Sequence, residues 1–152
     1  IRANVIAPGK RMLSSMTPVI IAKGGKLVMV TGSPGGRTII NTVLHVVLGA
    51  TAWGLNGREA VDAPRMHHQW MPDALSTERN ALPKDVVEAL RAMGHTVNTP
   101  EDAPDGRRSS DSWGNLQTVE WDRKANILRT GSDPRNPVGL GKSADKTIKV
   151  KP

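Results

Sequence analysis

Two short β-branched runs, "PVIIA" at residues 18–22 and "LVMVTG" at 27–32, flank Lys23-Gly24-Gly25-Lys26. Adjacent glycines supply the positive φ of a tight turn, so the pattern predicts a β-hairpin. Downstream, "RTIINTVLHVVLGATAWG" is apolar at positions 39, 40, 43, 44, 47 and 48. That stripe predicts a helix ended by Gly49 or Gly54, and its length favours a buried helix over the strand its β-branched residues would allow. "NGREAVDAP" predicts one or two helical turns stopped before Pro64, followed by an extended or looped "RMHHQWMPD". "LPKDVVEALRAMGH" is the clearest helix: Pro83 lies in its first turn, Asp85 and Glu88 come early, Val86, Leu90 and Met93 share a face, and Gly94 stops it. A strand at "HTVN" follows. "LQTVEWD" and "ANILRTGSD" around Arg123-Lys124 predict a second hairpin.

Between these elements, residues 1–17 read as an irregular opening segment with Pro8-Gly9 as a breaker and "LSSMTP" as a polar loop. Residues 98–115 are polar and rich in Pro and Gly, which predicts a surface loop. Residues 136–152 form a Lys-rich tail expected to stay unpacked. Two hairpins and two or three helices without strict alternation predict an α+β fold, with helices packed on a mainly antiparallel sheet; a doubly wound parallel fold is disfavoured.

Composition narrows this further. The chain has 152 residues, one domain's length, with no Phe or Tyr and four Trp, so Val, Ile, Leu, Met and Ala must build the core. With no Cys, disulfides and thiolate metal sites are excluded. No run approaches the ~20 apolar residues of a membrane span. The net charge is +7, and all 14 carboxylates lie from Glu59 onward. The basic half carries Arg2, Lys10, Arg11, Lys23, Lys26, Arg37 and Arg58, dispersed and without interleaved aromatics, so nucleic-acid binding is disfavoured. The chain starts at Ile1 and its first Met is Met12, which reads as a processed end or a piece of a longer protein.

Candidate chemistry centres on "TGSPGGRTII", residues 31–40, a turn between a strand and a helix. A phosphate loop would need Lys-Ser/Thr after a longer glycine loop, which is missing. Two readings stay open: a connection whose glycines merely satisfy unusual φ/ψ, and an oxyanion hole built from consecutive backbone amides at a helix start. Ser14 and Ser15 are candidate hydroxyls, but neither sits in a nucleophile elbow. On spacing alone they read as hydrogen-bonding groups. His67-His68 lacks an acidic partner at ligand spacing, so no metal is expected. His45 reads as a core or boundary residue, and Asp133 with Arg135 reads as an ion pair stabilising a turn.

The blocks "APGKRMLSSMTPVII", "VTGSPGGRTIINTVL", "EAVDAPRMHHQWMPD" and "SDPR", in this order, closely resemble the small-subunit region of γ-glutamyltransferases, also called glutathione hydrolases. The resemblance runs from about Ala7 to Arg135. It implies part of a four-layer α-β-β-α N-terminal-nucleophile hydrolase fold, with residues 1–135 as the C-terminal portion of the small-subunit domain and 136–152 as the tail. That family cleaves itself to expose a Thr that attacks γ-glutamyl amides such as glutathione; the acyl group passes to water or an amino acid, without a cofactor. Carried over, Ser14 and Ser15 contact the α-carboxylate end of the γ-glutamyl group, and the Gly35 and Gly36 amides form the oxyanion hole. Met16, Arg65, His67, His68, Gln69 and Trp70 match family positions and are given pocket-wall or structural roles. The resemblance further implies a periplasmic, secreted or cell-surface location, and as partners an upstream small-subunit segment and a large subunit.

The departures from the family also matter. No segment matches the Thr nucleophile, the Asn and Asp that hold the substrate amino group, or the large-subunit Arg. Arg37-Thr38 stands where Ser-Arg is common, and the tail from Lys142 lacks the usual Gly-rich ending. The chain alone is therefore expected to be inactive. It is also expected to aggregate or stay molten, because a sheet cut from its partner layer exposes an apolar face and an edge. A catalytically inactive remnant serving as a structural or binding module is the alternative.

Overall fold

In the computed structural model, which describes residues 5–102, 113–135 and 148–149, regular structure begins at Val19. In chain order the elements are β1 (Val19–Lys23), β2 (Lys26–Gly32), a 3-10 turn (Gly36–Thr38), α1 (Ile39–Thr51), α2 (Gly57–Asp62) and β3 (Met66–His67). Then come β4 (Leu75–Thr77), α3 (Lys84–Ala92), β5 (Val97–Asn98), a 3-10 turn (Pro100–Asp102), β6 (Gln117–Asp122), β7 (Ile127–Ser132) and β8 (Ile148–Lys149).

The expected first hairpin forms, with Gly24 at φ 59° and Gly25 at φ 72°. Both central residues of its turn need left-handed backbone, which only glycine adopts without strain. Arg123 closes the turn from the side, donating from Nη2 to the carbonyls of Lys26 and Leu27 at 2.9 and 3.1 Å. The second hairpin, β6–β7, pairs antiparallel with β2, giving a five-stranded sheet of order β1-β2-β6-β7-β8. Two residues of the expected unpacked tail thus pair as β8; the rest of 136–152 lies outside the described residues. A second, smaller sheet joins β3, β4 and β5, with β4–β5 parallel.

Helices α1 and α2 cover one face of the large sheet. Met29, Val46, Ala60, Val61 and Leu116 form the buried centre, and Ile21, Val28, Ala50 and Leu55 pack around it. The α+β reading holds, but the helix faces need correction. In α1 the inward residues are Ile39, Thr42, Val43, Val46 and Gly49, while Ile40 and Leu44 are 52% and 49% exposed. Small residues decide this. A Cβ on Gly49 would meet the Ala60 Cβ at 3.0 Å, so that glycine lets α2 approach and does not end the helix. In α3 only Val87 is buried, and Val86 and Met93 point outward. This helix rests beside β5 rather than on the main sheet.

The polar 98–115 stretch also departs from a plain surface loop, because Trp113 is buried with its ring edge-on to His67, centroids 6.4 Å apart. Residues 103–112 lie outside the described residues. On the sheet face away from the helices, the cross-strand partners Ile20 and Val30 remain exposed.

At the start of α2, Asn56 Oδ1 accepts the N–H groups of Arg58 and Glu59, and Glu59 Oε2 accepts the Asn56 N–H. This reciprocal cap satisfies helix-end donors that have no intrahelical partner. Asn56→Ala is expected to cost about 1 kcal/mol. A urea midpoint equal to wild type would show that α2 does not depend on the cap.

Candidate functional site

The chain leaves β2 at Gly32 and must reverse into α1 within a few residues. Gly35 (φ 145°) and Gly36 (φ 55°) make that reversal possible, and Gly36 opens the 3-10 turn that runs directly into α1. The first amides of a helix have no carbonyl one turn before them to bond. Two such N–H groups side by side, near the positive end of the helix dipole, suit a small anion or a developing oxyanion.

The turn seats against a second backbone. A Cβ on Gly35 would lie 3.0 Å from the Gly114 Cα, so two glycine backbones pack directly on each other. The Ser33 hydroxyl donates to Pro34 O at 2.6 Å and accepts the Asn115 N–H at 3.0 Å. Thr38 donates to Gly35 O through both its N–H (3.1 Å) and its hydroxyl (2.9 Å). Thr42 Oγ1 reaches Trp113 O at 3.2 Å.

The paired serines come to the same place. Ser15 Oγ donates to Gly36 O at 2.7 Å across 21 residues of sequence. Ser14 is exposed beside it, its hydroxyl accepting the Met16 N–H at 3.4 Å. Of the four candidates, Ser15, Gly35 and Gly36 are therefore in direct mutual contact or adjacent, and Ser14 presents its hydroxyl to the outside.

Behind the turn lies a charged cluster only half expected. Asp133 and Arg135 do pair, with Arg135 Nη1 and N–H each 3.1 Å from Oδ1. The larger part is Arg65, 1% exposed, which donates to Asp133 Oδ2 at 2.7 Å, Trp113 O at 2.8 Å and Val61 O at 2.9 Å. Arg135 grips Glu78 through two parallel bonds of 2.5 and 2.7 Å, the bidentate geometry that gives guanidinium–carboxylate pairs their strength. Glu78 in turn accepts the Arg65 N–H at 2.8 Å. Two cations and two anions thereby join the end of α2, the start of β3, the residue after β4, the end of β7 and the irregular segment just ahead of β6.

Burial pushes the Asp133 carboxyl up. The Arg65 charge and hydrogen bonds from Leu116 N–H, Arg65 and Arg135 N–H more than offset this, so its pKa falls below the usual Asp range. Burial, reinforced by Arg135, lowers Arg65. Burial also acts downward on Arg135, but Glu78 and Asp133 outweigh it and raise the pKa. Sequence spacing could not connect Arg65 with Asp133, 68 residues away. The one available signal was a lone Arg between Pro64 and an extended segment.

The histidines divide. His67 is buried with Nε2 2.9 Å from Gln69 Oε1, whereas His68 lies near the surface against Asp73 at 3.1 Å. His45, half-buried on α1, has its pKa lowered by burial and then by the Arg65 charge, so it is neutral at neutral pH. Among the described residues no cluster of three or more His, Asp or Glu side chains could hold a metal ion, and no helix is long and apolar enough to cross a membrane.

A family model described as gamma-glutamyltranspeptidase matches residues 1–141. The glutathione hydrolase proenzyme of Pseudomonas aeruginosa is 41% identical over 143 residues, covering 91% of this chain and 23% of the relative. The Escherichia coli glutathione hydrolase proenzyme is 50% identical over 99 residues, covering 65% of this chain and 17% of the relative. Among solved structures, a Helicobacter pylori gamma-glutamyltranspeptidase mutant superposes with a TM-score of 0.74 at 38% identity, over 88% of this chain and 68% of that one. A Pseudomonas nitroreducens gamma-glutamyltranspeptidase mutant gives 0.73 at 37% identity, over 99% and 69%. The chain thus spans about a fifth of the length of these curated relatives.

Proposed function

Because this chain belongs to the gamma-glutamyltranspeptidase family, we propose that it supplies the oxyanion-binding turn and a substrate-contact loop to an enzyme cleaving γ-glutamyl amides such as glutathione. Its helices on an antiparallel sheet are part of the N-terminal-nucleophile hydrolase fold. The observation that carries the functional reading is the Ser15–Gly36 hydrogen bond, which brings two separate sequence blocks into one site.

In this mechanism the scissile carbonyl oxygen faces the Gly35 and Gly36 amides. When a nucleophile adds to the carbonyl carbon, the oxygen gains negative charge that these donors stabilise; each is worth roughly 3–4 kcal/mol of barrier in comparable sites. The Ser14 hydroxyl holds the α-carboxylate end of the γ-glutamyl group, joined by Ser15 when its one hydroxyl proton turns from Gly36 O to the ligand, so that the amide lies over the turn. Collapse of that intermediate breaks the amide C–N bond and releases the amine, which leaves with a proton, and the acyl group held on the nucleophile then passes to water or to an amino acid. No residue of this sequence matches the family's attacking Thr, so residues 1–152 by themselves do not turn over substrate. The working enzyme includes that segment and the large subunit, and the exposed Ile20–Val30 face packs against its second sheet.

The full-length protein is expected to release nitroaniline from γ-glutamyl-p-nitroanilide. Ser14→Ala and Ser15→Ala are each expected to lower kcat/KM roughly 10–100-fold, the worth of a hydrogen bond to a charged group, mainly through KM. Absence of hydrolysis by the wild-type full-length protein would overturn the proposal, and turnover by residues 1–152 alone would contradict the missing nucleophile.

A further inference from the structure

Ser33 and Thr38, which are given no part in the chemistry above, each hold a carbonyl inside the turn. We infer that they are positioning residues that aim the two glycine amides; this rests on the oxyanion role proposed for those amides. A trans peptide is a rigid plane in which the carbonyl of one residue and the N–H of the next point in opposite directions, so fixing the oxygen fixes the N–H. The peptide bonds joining Pro34, Gly35 and Gly36 are trans.

The Ser33 hydroxyl donates to Pro34 O, and the N–H in that same plane is that of Gly35. By accepting the Asn115 N–H, Ser33 also ties this plane to the backbone just ahead of β6. Gly35 O receives both Thr38 donors, and the N–H in its plane is that of Gly36. Gly36 O in turn receives the Ser15 hydroxyl. Three successive carbonyls, those of residues 34, 35 and 36, are each held by a side-chain hydroxyl from a different position.

Glycine makes this necessary. Gly35 and Gly36 have no Cβ to restrict φ and ψ, so without such clamps their planes would rotate more freely than those of other residues. Oxyanion stabilisation depends on donors fixed before charge develops, and a swinging amide loses most of its value. Thr38 is buried, which keeps water from competing for Gly35 O, and the space around Gly35 is closed by Gly114. Ser33 thus aims the first donor and Thr38 the second.

The test uses the full-length protein with Ser33→Ala, Thr38→Val and the hydroxyl-retaining Thr38→Ser. Hydrolysis of γ-glutamyl-p-nitroanilide is expected to show kcat roughly 10–100-fold lower for the first two, with KM within about twofold of wild type. Thr38→Ser is expected to restore wild-type kcat, and titration of active sites with a covalent γ-glutamyl inhibitor corrects for misfolded material. An activity-independent readout is the amide proton and nitrogen chemical shifts and hydrogen exchange of the two glycines. Ser33→Ala should perturb Gly35 and Thr38→Val should perturb Gly36. If neither glycine amide changes, the inference is overturned whatever the rates. Perturbed amides with unchanged kcat would uphold the aiming and overturn the oxyanion role.

Discussion

Arg65→Ala is expected to destabilise the protein by about 3–5 kcal/mol, the cost of breaking a buried ion pair from one side. The guanidinium is 1% exposed and its partner Asp133 0%, so water cannot replace the lost bonds. The substitution removes the donors to Trp113 O and Val61 O and the Nη1 bond to Asp133 Oδ2. Asp133 would keep Arg135 and the Leu116 N–H, leaving one carboxylate oxygen under-served. Arg65→Lys is expected to recover little, because a single ammonium cannot reproduce a planar fork that bonds three acceptors. A urea midpoint for Arg65→Ala implying a loss under about 1 kcal/mol would show that the cluster is not structural.

Acid titration provides a second readout of the same cluster. The folded pKa of Asp133 lies below its unfolded value near 3.9. Its contribution is therefore fully present above about pH 4 and is lost as pH falls through the folded pKa. Wild-type stability should decline on that limb, and Asp133→Asn should remove part of the slope.

Gly35→Ala is expected to lower hydrolysis roughly 100–1,000-fold, the effect of losing an oxyanion donor, while costing about 1–3 kcal/mol in stability. At φ 145° a Cβ is strained whatever the space, and here it would also stand 3.0 Å from both Gly114 Cα and Thr38 Oγ1. The chain can relieve this only by rotating the Gly35 peptide, which turns its N–H away. Gly36 provides the comparison, because a Cβ there meets no atom of the described chain within 4 Å. At φ 55° its Ala variant should pay only the left-handed backbone strain, roughly 1–2 kcal/mol. Equal losses of stability at both positions would mean that contact with Gly114 does not define the turn.

Where sequence and structure part company follows from the range of the forces involved. The hairpin at Gly24-Gly25, the short helix α2 stopped before Pro64 and the end of α3 at Gly94 are written in residues within a few positions of each other, and all three formed as the pattern implied. The face of α1 could not be read the same way, because apolar residues surround much of that helix. Only the sheet and α2, arriving from elsewhere in the chain, select Val43 and Val46 over Ile40 and Leu44.

The site divides along the same line. The sequence by itself marked the strand-to-helix turn, its two glycines and the paired serines, since positive φ and hydroxyl chemistry are properties of single residues and short motifs. Only the tertiary structure decided that Ser15 bonds Gly36, that Gly114 backs Gly35, and that Arg65 finds Asp133 across 68 residues. Hydrogen bonds and ion pairs act over a few ångströms in space without regard to separation along the chain, so burial and topology had to bring those partners together first.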